Sequence, residues 1–366
     1  MSTSSDSSKD RHVPEPRKLG VSAQVDKETF RTRFRQRFYD PVFDGSMSQI
    51  DELAEIAWQA YEEGRKSPRT RAAGSEFENP EYQLSEEWLQ AREEIRKAQR
   101  VHEDEKGPPR VLLISASARH EQTCPGEVSK SYRLCQLAEQ TLVAEHVLVD
   151  LLDLSHLTAE YGRVIYPCKA CVSTAMPLCH WPCSCYPNNS LGQVNDWMNE
   201  IYPRWVAAHG VMIVSPVHWY QAPSVLKLMI DRLVCADGGN PDPTRTEGKD
   251  AKKAKAIEVA GWDYPRHLKG RAFSVVVHGD TVGAETLRRN LYDWLCDMEL
   301  VPAGHEANID RYIDYYGLYA TSHEALDKDE PIQQEVRNAA RALLTTVGRL
   351  RAGELREDEL PSPRPK

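Results

Sequence analysis

From Pro109 onward, short apolar runs that end in small or polar residues alternate with amphipathic segments, and this alternation constrains the fold more than any other feature. "RVLLISAS" reads as a first strand and "SKSYRLCQLAEQTLVA" as a helix, followed by a second strand in "EHVLVDLLDL". "VNDWMNEIYPRWVAAHG" reads as a helix that Pro203 makes locally irregular or kinks, because proline removes a backbone donor. "VMIVSPV" is a third strand, and "APSVLKLMIDRLV" a helix that Pro223 can open at its first turn. "GRAFSVVVHGD", "AETLRRNLYDWLCDME", a weaker strand around "NIDRYIDYYG" and the long helix "PIQQEVRNAARALLTTVGRLRAG" complete the series. Strands that alternate with helices pair in parallel and are covered on both faces. The expected fold class is therefore α/β, a doubly wound parallel sheet. Right-handed crossovers bring every strand-to-helix loop to one edge, where such sheets bind ligands.

The segment before Pro109 follows a different period. "MSQIDELAEIAWQAYEEGRK" puts Ile50, Leu53, Ile56, Ala57 and Tyr61 on one helix face, and "LSEEWLQAREEIRKAQRVHEDE" does the same with Trp88, Leu89, Ala91 and Ile95. "RKSPRTRAAGSEFENP" between them reads as a loop. The expected organisation is a polar, disordered tail at 1–25, a helical extension at 26–106, the α/β domain at 107–353 and a polar tail at 354–366. The helical extension carries no chemistry of its own, and its apolar faces suit packing on the domain or on a second subunit. Hydrophobic residues at 40% and charged residues at 28% are ordinary for a globular chain. A net charge of −9 argues against nucleic acid as a partner, since neutralising phosphates needs a basic surface. No apolar stretch is long enough to span a membrane. "MSTSSDSSKDRHVPEPRK" lacks the apolar core of a signal peptide, so the expected compartment is the cytoplasm and the nine cysteines are thiols or ligands.

Two strand-to-helix loops hold the polar and aromatic residues that could bind a ligand. "SASARHEQTCPGEVSKS" has neither a G-x-G-x-x-G nor a G-K-[ST], which excludes a dinucleotide fingerprint and a P-loop. It does bring Ser115, Ser117, Arg119, Ser129 and Ser131 to a helix N-terminus, where hydroxyls, a guanidinium and free N–H groups suit a phosphate monoester. The plainer alternative is a solvated loop with a serine cap. "SPVHWYQAPSVLKLMIDRL" crowds Pro216, Val217, His218, Trp219 and Tyr220 at the sheet edge, where a flat heteroaromatic ring could stack. Its alternative is an aromatic cluster that fills the core.

These stretches, with "VVHGDTVGAETLRRNL", resemble the three FMN-binding loops of the NAD(P)H-dependent FMN reductases, which have the flavodoxin-like fold. The resemblance covers roughly residues 109–305. It implies that Ser117, Arg119, Ser129 and Ser131 hold the FMN phosphate and that Pro216, Val217, His218, Trp219 and Tyr220 border the isoalloxazine. It further implies that His278, Gly279, Asp280 and Gly283 cover the other edge of the ring. His218 and His278 also read as satisfied structural histidines. Ala116 stands where the family usually has glycine, "HEQTCPGEV" lengthens the first loop, and the insertion at 236–270 could form a lid or a subunit contact.

Five cysteines fall in residues 168–188, at Cys168, Cys171, Cys179, Cys183 and Cys185. An iron–sulfur subgroup of the same family carries C-x2-C-x2-C and a fourth cysteine in this region, and only Cys168-x2-Cys171 matches that spacing. Four thiolates suffice for a 4Fe–4S cluster or a structural zinc, and His180 widens the choice. The alternative is a set of packed thiols. The resemblance implies an FMN-dependent oxidoreductase with NAD(P)H as co-substrate and a small-molecule acceptor: flavin, quinone, an azo or nitro compound, or dioxygen. The cofactor carries such chemistry, so no acid–base catalytic residue is assigned. A homodimer or homotetramer is expected. The other readings are a non-turnover electron carrier or sensor, and a scaffold without its cofactor.

Overall fold

The computed structural model describes residues 12–18, 20–124, 126–313 and 317–355. Residues 1–11 and 19 of the first expected tail and 356–366 of the second lie outside these residues, as do positions 314–316 of the weak-strand stretch.

The chain begins with α1 (Lys27–Arg35) and α2 (Met47–Glu62), then β1 (Thr70–Ala72), β2 (Gln83–Ser85) and α3 (Glu86–His102). It continues through β3 (Arg110–Ser115), α4 (Lys130–Ala144), β4 (Leu148–Asp153), α5 (His156–Ala159) and α6 (Met198–Ala207). Next come β5 (Gly210–Pro216), α7 (Ser224–Arg232), α8 (Ala251–Gly261), β6 (Ala272–Gly279) and α9 (Ala284–Asp297). The last elements are β7 (Val301–Pro302), β8 (Asn308–Tyr312), α10 (Ser322–Lys328) and α11 (Glu330–Arg351). They form two compact units. One gathers residues 1–90, 169–196 and 240–263, and the other 91–168, 197–239 and 264–366.

In the first unit, Asp26 caps α1 by accepting the Thr29 N–H at 2.9 Å. On α2 the buried residues are Ile50, Ala54 and Trp58, whereas Leu53 and Ile56 are exposed, which corrects the expected face. The widest side chain decides the register: Trp58 packs edge-on against Phe30 at 5.5 Å, and Tyr61 closes the group at 5.1 Å from the same ring. The expected loop after α2 contains β1, which pairs antiparallel with β2 from Thr70↔Ser85 to Ala72↔Gln83. Leu84 of that ribbon joins Ala73, Phe77, Trp88 and Leu89 in a small satellite core. Ala254 of α8 packs against Ala175 and Leu178 of the cysteine segment.

In the second unit the sheet order is β4-β3-β5-β6-β7, with β8 also on β6, and every pairing is parallel. This is the flavodoxin-like 2-1-3-4-5 order. The fifth position is split: β7 pairs with β6 at Ala272 and Phe273, and β8 from Val275 to Gly279. That interruption is why the sequence shows only a weak strand there. Val111 and Leu113 of β3 join Leu134 and Ala138 of α4 and Val336, Ala339 and Leu343 of α11 in one core. Leu112 and Ile114 point to the opposite face and are fully buried too, so the strand is covered on both sides. Among the described residues no helix is long and apolar enough to cross a membrane.

Candidate flavin site

β3 has β4 on one side and β5 on the other, so the chain reverses its winding direction here and leaves a crevice at the carboxyl edge. The loop from β3 into α4 opens with Ser117, whose hydroxyl accepts the Arg119 N–H at 3.1 Å. The Arg119 guanidinium lies 2.9 Å from the Glu127 carboxylate. Ser129 caps α4 by accepting the Tyr132 N–H at 3.1 Å, so the plain serine-cap role and a place in the candidate site coexist. Ser131 is fully buried, and its hydroxyl is 2.8 Å from His278 Nε2 at the end of β6. Burial, then the nearby charge of Lys130 and His218, pushes His278 down to about 3, so its ring is neutral at physiological pH. Burial likewise lowers His218.

The loop after β5 is a tight turn. His218 and Gln221 exchange two backbone hydrogen bonds of 2.9 Å, with Trp219 and Tyr220 between them at φ of 44° and 65°. Side chains adopt such angles at a cost, and strained backbone of this kind collects at functional sites. Trp219 is 91% exposed, so the aromatic pair does not fill the core. Val217 N–H donates to the His278 carbonyl at 2.9 Å, which joins the second and third loops. Gly283, at φ +108°, begins α9 where a Cβ would come within 2.8 Å of the Tyr220 backbone. Only glycine lets α9 start so close to the aromatic turn.

The three loops converge on a cavity of about 150 Å³. Ser117, Arg119, Ser129, Ser131, Pro216, Val217, His218, His278, Gly279 and Asp280 all line it. Trp219, Tyr220 and Gly283 are not among its lining residues. The volume suits a phosphate and the polar chain next to it, being smaller than the roughly 300 Å³ of an ordinary small-molecule pocket. A tricyclic ring would extend beyond it, toward the exposed aromatic turn. Lys130 also lines the cavity, a residue that the sequence expectation does not include. Burial holds it below the ordinary lysine range, while Asp280 opposes that shift. The signal for it was "SKS", a cation between two site serines. A larger cavity, about 720 Å³, lies along β8, α9 and α11, and four of its charged residues are taken up in the Arg288–Asp310 and Arg311–Glu335 pairs.

The expected metal ligands divide between the units, with Cys168 ending a segment of the second and Cys171, Cys179, Cys183 and Cys185 in the first. None of the nine cysteines forms a disulfide. Cys171 Sγ and Cys185 Sγ are 3.2 Å apart, and Lys249 Nζ lies 3.5 and 3.3 Å from them. They border a cavity of about 400 Å³. Burial opposes the Lys249 charge, but the thiols, Cys185 foremost, hold its pKa above the ordinary value. The hydrogen bond from Cys185, against the cost of burial and with help from Lys249, lowers Cys171 to about 7. His180 is not available as a ligand, because Nδ1 meets Ser184 Oγ at 2.5 Å and Nε2 meets Thr246 Oγ1 at 3.0 Å. The thiols do not fit a structural zinc. Two thiolates on one tetrahedral zinc sit about 3.8 Å apart, and among the described residues no three cysteine sulfurs lie within 4.8 Å of one another. The Lys249 ammonium lies beside Cys171 and Cys185, where a cluster would need its thiolates.

The sequence model of a family described as NADPH-dependent FMN reductase matches residues 109–312. No curated protein is similar in sequence. Several solved structures are similar. One is RosB with a bound 8-demethyl-8-formylriboflavin-5'-phosphate intermediate, at 11% identity and TM-score 0.47, covering 68% of this chain and 82% of that one. An NADH:FMN oxidoreductase in its apo form is 12% identical, with TM-score 0.35, over 70% of this chain and 95% of the other. An NAD(P)H:quinone oxidoreductase from Methanothermobacter marburgensis is 13% identical, with TM-score 0.36, over 69% and 100%. The family match spans more than half of the chain and contains all three loops, so the chain belongs to the NADPH-dependent FMN reductase family of flavin-dependent oxidoreductases.

Proposed function

We propose that the protein binds FMN at the carboxyl edge of its sheet, takes hydride from NAD(P)H and passes electrons to a small acceptor such as flavin, a quinone, or an azo or nitro compound. The observation that carries this is the convergence of a hydroxyl-and-guanidinium loop, an aromatic turn and the end of β6 on one cavity. Bound FMN supplies the hydride and electron chemistry. The chain's own residues supply binding and orientation. Arg119, Lys130 and the N-terminus of α4 offer positive charge to a phosphate, with the Ser117 and Ser129 hydroxyls beside it. Glu127, which faces Arg119 at 2.9 Å, is the anion that a phosphate would displace. Trp219 and Tyr220 offer flat apolar surface to a ring, and the neutral His278 adds no charge beside it.

We read the cysteine pocket as a lysine-centred thiol site, a reading that the closeness of Lys249 to Cys171 and Cys185 supports. We place the protein in the cytoplasm, where thiols stay reduced, and cell fractionation checks that placement. Steady-state NAD(P)H oxidation by the FMN-loaded protein tests the enzymatic reading. FMN bound without turnover would indicate an electron carrier or sensor instead.

A further inference from the structure

A second cluster of chemistry-bearing side chains stands at the carboxyl edge of β3 and β4. One ring nitrogen of His120, one of His156 and a carboxylate oxygen of Asp153 lie within 4.8 Å of one another. They come from separate places in the fold: His120 from the loop after β3, Asp153 from the last position of β4, and His156 from the first of α5. We propose that His120, Asp153 and His156 bind one divalent transition-metal ion of the zinc class.

The donor set favours such an ion, because imidazole suits borderline metals and a carboxylate supplies charge. Ligands on a tetrahedral zinc, with bonds of about 2.0–2.1 Å, stand about 3.3 Å apart, so a small side-chain movement closes the site. The surrounding groups are those that orient metal-binding histidines. His156 Nδ1 is 2.8 Å from the Glu160 carboxylate, and His120 Nδ1 is 2.9 Å from that of Glu121 and 3.3 Å from the Gln122 N–H, so each ring has polar partners at Nδ1. Asp153 Oδ1 accepts the Ser155 N–H at 3.1 Å. The His120 and His156 rings meet edge to face at 5.7 Å, and His156 stacks on Trp197 at 6.4 Å.

Arginines nearby do not fill the site, since each is held by a carboxylate. Arg163 bonds Glu160 and Glu200 at 2.5 and 2.7 Å, Arg204 bonds Asp150 at 2.5 Å, and Arg119 bonds Glu127. The three ligands are partly exposed and face a cavity of about 370 Å³, which gives an ion from solution a way in. Three protein ligands leave a coordination position toward that cavity for water or an oxygen of a small molecule. The ion would also tie the loop carrying Arg119 to the edge of β4. The site depends on neither bound flavin nor the cysteines.

The test is dialysis of chelator-treated full-length protein against Zn2+, metal analysis, and X-ray absorption at the zinc edge. The expected result is about one zinc per chain in a nitrogen/oxygen shell at about 2.0–2.1 Å. His156→Gln and Asp153→Asn should each weaken binding at least tenfold, by about the 10- to 100-fold that loss of the orienting carboxylate in Glu160→Gln also costs. A Cys171→Ser/Cys185→Ser protein should bind zinc as the unaltered one does. A sulfur shell at about 2.3 Å, no retained zinc, or unchanged affinity in both ligand variants would overturn the proposal.

Discussion

In the loop before α4, Arg119 lines a phosphate-sized cavity, and its guanidinium lies 2.9 Å from the Glu127 carboxylate. Arg119→Ala should weaken FMN binding by about 1.5–3 kcal/mol, roughly 10- to 150-fold in Kd, the range for losing a charge-assisted hydrogen bond. Titration by quenching of FMN fluorescence measures it, and an unchanged Kd would remove Arg119 from the site. Cys171 offers a test that depends on pH. Its thiol is lowered to about 7, so the reactive thiolate fills as pH rises through about 7 and is lost below it. Alkylation of Cys171 by iodoacetamide, followed by peptide mass spectrometry, should show a midpoint near pH 7. Lys249→Met should move that midpoint upward by removing the cation 3.5 Å from Cys171 Sγ. A wild-type midpoint at the ordinary thiol value near 9 would contradict the pairing.

At the scale of elements, the start of α9 depends on Gly283 more than on any capping side chain. Gly283→Ala puts a Cβ against the Tyr220 backbone at a φ that alanine resists. It should cost about 1–2 kcal/mol in urea unfolding and weaken FMN binding through the displaced aromatic turn. Full stability with full affinity would show that this close approach is unimportant. The strands of the parallel sheet were legible because strands buried on both faces read as unbroken apolar runs, as "VLLIS" and "FSVVV" do. The ribbon of β1 and β2 was not, since two three-residue strands carry no period. The face of α2 is not fixed by its pattern, because Leu53 and Ile56 fit an apolar stripe as well as Ala54 and Trp58 do, and only the Phe30 contact selects between them. The site loops could be read from residue type, but Lys249 lies 78 positions from Cys171, and nothing local in the sequence joins them.

For the whole molecule, exposed apolar side chains such as Tyr39, Val42, Leu53 and Ile56 remain on the first unit, and we expect them to be covered in a homodimer or homotetramer. Light scattering at micromolar concentration checks this, and a monomer would contradict it. The proposed function requires that the sheet edge hold FMN in a form that a nicotinamide reduces. Its most direct test is anaerobic mixing of the FMN-loaded, gel-filtered protein with NADPH, and separately with NADH, while the flavin absorbance is followed. About one FMN per chain should be retained, its visible band should bleach with at least one nicotinamide, and the band should recover when a quinone is added. A protein that retains no FMN, or whose flavin stays oxidised with both nicotinamides, would contradict it.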